Sequence, residues 1–474
     1  MNRIAGIETE YGCLVSDETG QGNADSWPIR IKNHLFKKMK LGAIDLHYRD
    51  YEEPPGNGGF LLNGGRLYVD MGHLEYASPE CNTLRDMVAY DVAGDTLVQQ
   101  AVKALGAQKR VAFIKNNVDH ETGATFGCHE NYLMRRDIAF TSETLGALLS
   151  FLATRQIFSG AGRVGQTNPL SFELETPSNQ SVDFQLSQRA DHIVNDIYQW
   201  VQFNRAIINA RDEPLADHRL YRRLHLLVGD SNMSPFATAL KIGTTSMVLT
   251  LLEKGWAPRE VVLNDAVTAT RQISHTGTGR GAVLMADGRT RDALDIQYAF
   301  LAQARKHLGG ADEESDWVLD NWQFVLEAIE ALDAHPELLI GGVDWISKRW
   351  LLNLFRESEN LSWSDPWLRS LDLEYHNIDP EAGLFFSLKP GKRIAEWNAA
   401  ARWPVALQLP PTTTRAYGRG LAIDHLIAHP RLSYVINWDS LIVEEEAPLA
   451  MADPFDSYER KIKSLLAPYG GDGL

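Results

Sequence analysis

The stretch Arg66-Leu-Tyr-Val-Asp70 is typical of a β-strand, because polar and apolar residues alternate along it. Successive side chains of a strand point to opposite faces, so Arg66, Tyr68 and Asp70 share one face. Such a face is a poor core surface, since buried charges must be paired or bound to a metal. The same spacing also fits the solvated outer face of an antiparallel sheet, so the pattern alone leaves both interpretations open.

Carboxylates also cluster in the segments around this strand. Residues 3–15 are predicted to form a strand on which Glu8 and Glu10 share a face, and Glu75 and Glu80 follow Asp70 closely. Clustered carboxylates without Cys or His at zinc spacing suit a hard cation such as Mg²⁺, and neighbouring basic side chains would then hold phosphate. Glycines flanking both strands favour close approach of a ligand to the backbone.

The remaining elements are predicted from periodicity and from the positions of Gly and Pro. Strands are predicted at 65–71, 112–116 and 127–134, and helices at 29–41, 83–105, 143–159, 236–254, 318–334 and 344–358. Much of 16–62 is predicted to be loop. Prolines at 404, 410 and 411 indicate a boundary, which predicts a large domain over 1–400 and a small C-terminal domain over 401–474.

The composition limits the class of protein. The 474 residues include 46 basic and 62 acidic side chains, a formal net charge of −16, which argues against a general nucleic-acid binder. The sequence contains no uninterrupted run of about 18–20 apolar residues, as a membrane span would need. An acidic N-terminus and three scattered cysteines predict a cytoplasmic protein with reduced thiols. Two basic segments, Lys32–Lys40 and Arg222-Arg223, are either solvated faces or contacts for an acidic partner.

Other motifs carry weaker signals. His129-Glu130 begins like a zinc-protease motif, but Leu133 occupies the position of the second His, so that interpretation fails. His225 is interpreted as structural, since a lone His is more often a core or surface residue than a catalyst. The chain has no Gly-x-x-x-x-Gly-Lys-Ser/Thr loop, so any ATP must bind by other means.

Longer strings resemble the Pup–protein ligase and depupylase family over essentially the whole chain. They are Gly6-Ile-Glu-Thr-Glu-Tyr-Gly12, Asn63-Gly-Gly-Arg-Leu-Tyr-Val-Asp70, Lys115-Asn-Asn-Val-Asp119, Gly127-Cys-His-Glu-Asn-Tyr-Leu133, Leu186-Ser-Gln-Arg189, Ile208-Asn-Ala-Arg-Asp-Glu-Pro214, Tyr221-Arg-Arg-Leu-His225 and Gly229-Asp-Ser-Asn232. The resemblance implies an α+β fold similar to glutamine synthetase, in which an antiparallel sheet forms a cradle for ATP and Mg²⁺ and a small C-terminal domain closes one side.

The resemblance also implies roles for individual residues. Magnesium would bind at Glu8, Tyr68 and Glu75, and the nucleotide at Arg66, Ser78 and Trp438. Asp70 matches the catalytic aspartate of the family. In the implied reaction, ATP converts the side-chain carboxylate of Pup's C-terminal glutamate into an acyl phosphate, and a lysine of a target protein attacks it.

The two branches of the family share these positions, so the site strings do not separate them. Gly6-Ile-Glu-Thr-Glu10 and Asp453-Pro-Phe455 resemble ligases, whereas Glu359-Asn-Leu-Ser-Trp-Ser364 and Arg49-Asp-Tyr-Glu-Glu-Pro54 resemble depupylases. We expect a monomeric ligase that acts on Pup or a Pup-like modifier and on lysine-bearing proteins. The alternatives are a depupylase or Pup deamidase and, from another class, a non-catalytic homologue that binds Pup or nucleotide.

Overall fold

The structure is a computed structural model, and it describes residues 2–16, 23–49, 53–120, 123–166, 182–199, 205–400 and 404–470. The strands are β1 (Ala5–Val15), β2 (Gly42–Ile44), β3 (Gly58–Leu61), β4 (Arg66–Asp70), β5 (His73–Ala77), β6 (Val111–Ile114), β7 (Cys128–Arg135), β8 (Arg163–Val164), β9 (Phe184–Gln185), β10 (Ile193–Tyr198), β11 (Arg205–Asn209), β12 (Tyr221–Leu226), β13 (Ala282–Leu284), β14 (Thr290–Asp292), β15 (Tyr434–Ile436), β16 (Ser440–Val443) and β17 (Leu449–Ala450). The α-helices are α1 (Ser26–Asn33), α2 (Leu84–Ala104), α3 (Ser142–Thr154), α4 (Gln156–Ser159), α5 (Pro235–Glu253), α6 (Ala266–His275), α7 (Ala293–Leu308), α8 (Glu313–Glu330), α9 (Asp344–Ser358), α10 (Pro366–Tyr375), α11 (Lys392–Ala400), α12 (Ala416–Ala428) and α13 (Glu459–Leu466).

The main sheet places the long strand β1 near its centre. Over the described residues it has ten strands in the order β10-β11-β12-β7-β1-β5-β4-β3-β2, with β6 also paired to β1. β10 and β11 are parallel, and the other neighbours are antiparallel. Along β1, Ile7 and Tyr11 join the apolar core, whereas Glu8 and Glu10 lie on the other face, as the alternation predicts.

Helices cover one face of this sheet. The larger apolar cluster joins α3, α5, α7 and α8 to β1 and β7, and a smaller cluster packs α1 and α2 on β4, β5 and β6. Helix α5 is long and apolar enough to cross a membrane by length and composition, but 94% of its most apolar window is buried inside the protein. Lys241 interrupts its apolar run, and the burial is that of a core helix. The opposite face of the sheet carries the polar side chains described below.

The C-terminal part of the chain packs against the edge of the sheet formed by β2 and β3. Helices α12 and α13 and strands β15 and β16 share an apolar cluster with Ala43 and Phe60. The boundary predicted between residues 400 and 401 adjoins 401–403, which lie outside the described residues, so the division into two domains stays a prediction. The edge contact brings Trp438, two residues before β16, toward the open face of the sheet.

The predicted α+β class is confirmed, and so are the long predicted elements. Thr83 caps α2 by accepting a hydrogen bond from the backbone N–H of Asp86, as expected for a helix that begins there. Within 16–62, which is predicted to be mostly loop, the structure adds the short strands β2 and β3, and residues 17–22 and 50–52 lie outside the described residues. The glycines near residue 59 led to the loop prediction. A Cβ added at Gly59, however, would lie 2.1 Å from the carbonyl oxygen of Ala43. These glycines allow neighbouring strands to approach closely rather than marking a turn.

Candidate active site

Three carboxylates meet at the centre of the open face. Glu10 lies opposite Glu75 in the pairing of β1 with β5, and Asp70 ends the adjacent strand β4. One oxygen from each of Glu10, Asp70 and Glu75 lies within 4.8 Å of the other two. Asp70 is followed by a two-residue turn in which Met71 and Gly72 both have positive φ, 43° and 93°. A tight hairpin turn therefore fixes the end of the strand that carries Asp70.

The electrostatics of this carboxylate centre favour a cation. Burial, followed by the charges of Glu10 and Glu8, raises the pKa of Glu75 well above its usual value. Tyr68 donates its hydroxyl hydrogen to Glu75, and burial together with the nearby carboxylates raises the pKa of Tyr68 well above 10. The phenol therefore remains protonated. Hard divalent cations prefer oxygen ligands arranged in this way.

Glu8 lies in a second group of possible metal ligands, with two histidines. Its carboxylate is 3.2 Å from Nδ1 of His129 and 3.7 Å from Nε2 of His225, and it accepts a 3.0 Å hydrogen bond from Asn131. Burial lowers the pKa of His225 to about 3. For Glu8, burial opposes ionisation, but the hydrogen bond from His129 and the charges of His225, His129 and Arg223 together keep its pKa below its usual range.

The predicted metal ligands are thus divided between two adjacent groups. Glu75 and its hydrogen-bonding partner Tyr68 belong to the carboxylate centre, whereas Glu8 lies with the histidines. From the sequence, His129 was considered only in a zinc-protease motif that failed, and His225 was interpreted as structural. The structure places both beside Glu8, and the role of His225 stays a prediction. Their contact with Glu8 depends on the pairing of β7 with β1 and β12, which links residues more than 90 positions apart.

Next to Glu8, the open face contains a solvent-open cavity of about 100 Å³. Ser78 and Trp438, both predicted to bind nucleotide, line it, together with apolar side chains that include Leu133, Leu215 and Pro454. The Ser78 hydroxyl accepts the backbone N–H of Ile7 at 2.9 Å, which fixes the end of β5 against β1. The ring of Trp438 packs edge-on against Phe60, with ring centroids 5.0 Å apart.

Arg66, also predicted to bind nucleotide, already has two carboxylate partners. Its Nη2 donates to Glu53 at 2.6 Å and to Asp45 at 3.2 Å. The guanidinium lies 4.6 Å from the centroid of the Tyr68 ring, which confirms that the two residues share a face. The Nε of Arg66 has no hydrogen-bond partner among the described residues.

The guanidinium of Arg189 also belongs to this region, although the sequence did not indicate it as a site residue. This side chain is fully buried and donates to the carbonyl of Phe126, but its Nε and Nη2 have no hydrogen-bond partner in the described part of the chain. Burial, followed by the charge of Arg205, lowers its pKa to about 10. Phe126 precedes Gly127, where an added Cβ would lie 2.5 Å from Oε1 of Glu10, so Arg189 lies beside the carboxylate centre.

A buried polar network explains why several of the quoted strings lie far apart in sequence. Asp230 accepts the backbone N–H groups of Gln188 and Arg189, at 3.0 and 3.2 Å. Asn117 donates to the carbonyl of Phe126 at 3.1 Å and accepts the N–H of Ser231 at 2.7 Å. The strings 115–119, 186–189 and 229–232 therefore converge under the carboxylate centre and hold Arg189 in place.

Glu80 does not join the carboxylate centre, contrary to the grouping suggested by the sequence. It instead pairs with Arg415 and Arg419 of the C-terminal region. The reason is that Glu80 follows the end of β5, where the chain leaves the open face and meets the start of α12.

Comparison with known proteins identifies the family. The Pup-ligase protein family matches residues 3–442. The Pup–protein ligase of Nocardia farcinica (strain IFM 10152) is 37% identical over 484 residues, covering 98% of this chain and 99% of the relative. The Pup–protein ligase of Acidimicrobium ferrooxidans is 36% identical over 478 residues, covering 98% of each chain.

Two solved structures are also similar over nearly the whole chain. The ligase PafA in complex with the prokaryotic ubiquitin-like protein Pup has a TM-score of 0.81 and 32% identity, covering 98% of this chain and 91% of that one. PafA in complex with ADP has a TM-score of 0.75 and 32% identity, covering 96% of both chains. The relatives are named as ligases, which confirms the predicted ligase branch. The chain therefore belongs to the Pup-ligase protein family.

Proposed function

We propose that this protein uses ATP to join the side-chain carboxylate of Pup's C-terminal glutamate to a lysine of a target protein. The main structural support for this proposal is the position of the carboxylate centre, beside a solvent-open cavity on the open face of the sheet. The full-length similarity to named Pup–protein ligases supports the same reaction. A carboxylate is a poor electrophile, so the amide bond requires activation by phosphoryl transfer.

The cavity beside Glu8 would hold the nucleotide. Trp438 offers an aromatic face for a base, and the Ser78 hydroxyl and the guanidinium of Arg66 lie on the same side of the sheet. Arg66 would contact phosphate while Asp45 and Glu53 hold its guanidinium in one orientation. The similar structure of PafA was solved in complex with ADP, which supports nucleotide binding by this chain.

Magnesium fits the donors of the carboxylate centre. Glu10, Asp70 and Glu75 bring three carboxylates together, and the raised pKa of Glu75 results from burial and from the like charges around it. Glu8, Tyr68 and Glu75 are the ligands we assign from the family resemblance, and Glu10 is a further one from the geometry. When bound, Mg²⁺ would neutralise charge on the transferring phosphoryl group.

Asp70 is the proposed general base. A lysine amine has a pKa of about 10.4, so it must lose a proton before it attacks the acyl phosphate. Asp70 would accept that proton while the bond from the amine nitrogen to the carboxyl carbon forms and phosphate leaves. Arg189, with two donor nitrogens left over beside the centre, would bind the anionic group being activated.

The basic segments are proposed contacts for Pup. Within 32–40, Lys32 is buried and donates to the carbonyl of Gly56, so the exposed Lys37 and Lys38 are the candidates. Arg223 lines the cavity, whereas Arg222 lies over the ring of Phe140. Reversing both charges at 37 and 38 without weakening Pup binding would remove this segment from the proposal. We place the reaction in the cytoplasm.

A paired assay tests the function. The protein with Mg-ATP receives either Pup ending in glutamate and a lysine-bearing acceptor, or a preformed Pup–protein conjugate. We expect mass spectrometry to show a new isopeptide bond and conversion of ATP to ADP in the first reaction. Release of Pup from the conjugate without stoichiometric ATP consumption, and no ligation, would contradict the ligase and indicate a depupylase.

A further inference from the structure

Two parts of the cavity wall are tied to one carboxylate, that of Glu80. Arg415 donates from Nε to Glu80 at 2.7 Å. Arg419 donates to the same carboxylate from Nη1, at 3.3 Å, and from Nη2. Both arginines come from the C-terminal region, whereas Glu80 directly follows the central sheet. The carboxylate therefore joins the two parts of the chain that enclose the cavity.

Arg419 connects Glu80 to the tryptophan side of the cavity. Its side chain is fully buried and also donates to the carbonyls of Gly64, at 2.8 and 2.9 Å, and Trp438, at 2.8 Å. The guanidinium lies 4.7 Å from the centroid of the Trp438 ring, in a cation–π contact. Both the backbone and the ring of Trp438 are thus held by Arg419.

Arg415 connects Glu80 to a different part of the wall. Its Nη1 donates to the carbonyl of Leu215 and, at 3.0 Å, to that of Met451. Leu215 lines the cavity and has a positive φ of 47°, a conformation that is unfavourable for a leucine and must be held by its surroundings. The bond from Arg415 to its carbonyl is one such restraint.

The Glu80 carboxylate remains ionised at neutral pH. Burial opposes its ionisation, but Arg419 and Arg415 outweigh burial and lower the pKa of Glu80 to about 2. Charge-assisted, forked hydrogen bonds of this kind are stronger and more directional than neutral ones. The geometry of the arginines therefore depends on a carboxylate at this position.

We propose that Glu80 is a positioning residue that fixes Trp438 and Leu215 relative to each other and so sets the affinity of the cavity for nucleotide. This inference rests on the proposed function, which places the nucleotide in this cavity. Glu80 itself does no chemistry, because its carboxylate is already bound by two guanidinium groups.

The test compares Glu80→Gln with Glu130→Gln in the full-length protein. Glu130 is a matched control, because it forms a fully buried forked pair with Arg155 on the helix-covered face of the same sheet. We expect Glu80→Gln to raise the dissociation constant for ADP, measured by calorimetry, and the KM for ATP about tenfold, with kcat within a factor of two. Glu130→Gln should lower thermal stability but leave ADP affinity within a factor of two.

Arg419→Lys is a second variant for the case in which Glu80→Gln folds poorly. Arg419→Lys retains the charge but loses the forked geometry, and we expect it to weaken ADP binding in the same direction. ADP affinity equal to the wild type in both variants would overturn the inference and leave the proposed function intact. A wild-type protein that binds no ADP would overturn the nucleotide site and the inference together.

Discussion

The two faces of strand β7 differ in how completely their polar and charged side chains are paired. On the helix-covered face, Glu130 accepts two hydrogen bonds from Arg155, at 2.5 and 2.9 Å, and one from Tyr132 at 2.7 Å. On the open face, His129 contacts Glu8 through Nδ1, but its Nε2 has no hydrogen-bond partner among the described residues. Neighbouring residues of one strand therefore form a balanced ion pair on one side and leave a buried polar atom without a partner among the described residues on the other.

The same difference holds for larger groups. Under the sheet, Lys115 lies between Asp91 and Asp95, at 3.1 and 3.0 Å, so opposite charges are combined. At the carboxylate centre, like charges are gathered. Removing one partner of a balanced buried pair costs stability, and buried like charges cost stability unless a ligand supplies the missing partner. Each variant below alters either a paired charge under the sheet or a group at the carboxylate centre.

Asp70→Asn should have the largest effect. Removing the proposed base should lower the rate of ligation by about 10³, while ADP affinity stays within a few-fold because Asp70 is not a lining residue of the cavity. Isopeptide formation followed by mass spectrometry and ADP binding by calorimetry give the two readouts. Ligation at the wild-type rate would remove Asp70 from its role.

Glu130→Gln should affect stability instead. Removing one charge of a buried pair costs about 3 kcal/mol, measured as the free energy of unfolding in urea at pH 7. Arg155 keeps the pKa of Glu130 below its usual 4.5 despite burial. The stabilisation by the charged form is therefore present above pH 4.5 and is lost as the pH falls below it, so the difference from wild type should shrink in acid. An unchanged stability at pH 7 would contradict the comparison.

Arg189→Gln should lower kcat for ligation by about 10², because a buried donor group aimed at the reacting anion would be lost. The loss of stability should be small, since two nitrogens of Arg189 have no partner within the described residues and the bond that is lost is the one to the carbonyl of Phe126. Steady-state kinetics and thermal unfolding separate the two effects. A large loss of stability with unchanged kcat would show that Arg189 is structural.

Glu10→Gln should have the smallest effect of these variants. It should raise the thermal stability of the protein rather than lower it. In the presence of a chelator, one fewer carboxylate beside Glu75 relieves repulsion, and we expect the melting temperature to rise by about 2 °C. Added Mg²⁺ should then stabilise the variant less than the wild type. Glu445→Gln, an exposed position, is the control and should change neither value. A lower melting temperature for Glu10→Gln in chelator would contradict the repulsion.

Residue alternation allowed part of this site to be predicted. The period of two along β1 and β4 correctly placed Glu8 with Glu10 and Arg66 with Tyr68, because strand geometry is local. The pairing of strands distant in sequence is not local. For that reason the histidine contacts to Glu8 and the position of Arg189 were missed, although both lie in strings that signalled the family.

The position of Glu80 shows a second limit. Sequence proximity to Glu75 suggested a shared role, but the chain turns away after Ala77 and Glu80 meets arginines more than 330 residues further on. The C-terminal partner that decides the role of this carboxylate is recognisable only after folding. By contrast, helices such as α2 and α5 were predicted well, since their periodicity is contained in one segment.

In the proposed reaction, the Pup carboxylate is activated by transfer of a phosphoryl group from ATP. Pup labelled with ¹⁸O in its C-terminal glutamate carboxylates tests it directly, with inorganic phosphate from the ligation analysed by mass spectrometry. If an acyl phosphate forms and the lysine displaces it, each phosphate released with a new isopeptide bond carries one ¹⁸O atom. Phosphate without ¹⁸O, at the same yield of conjugate, would contradict the account.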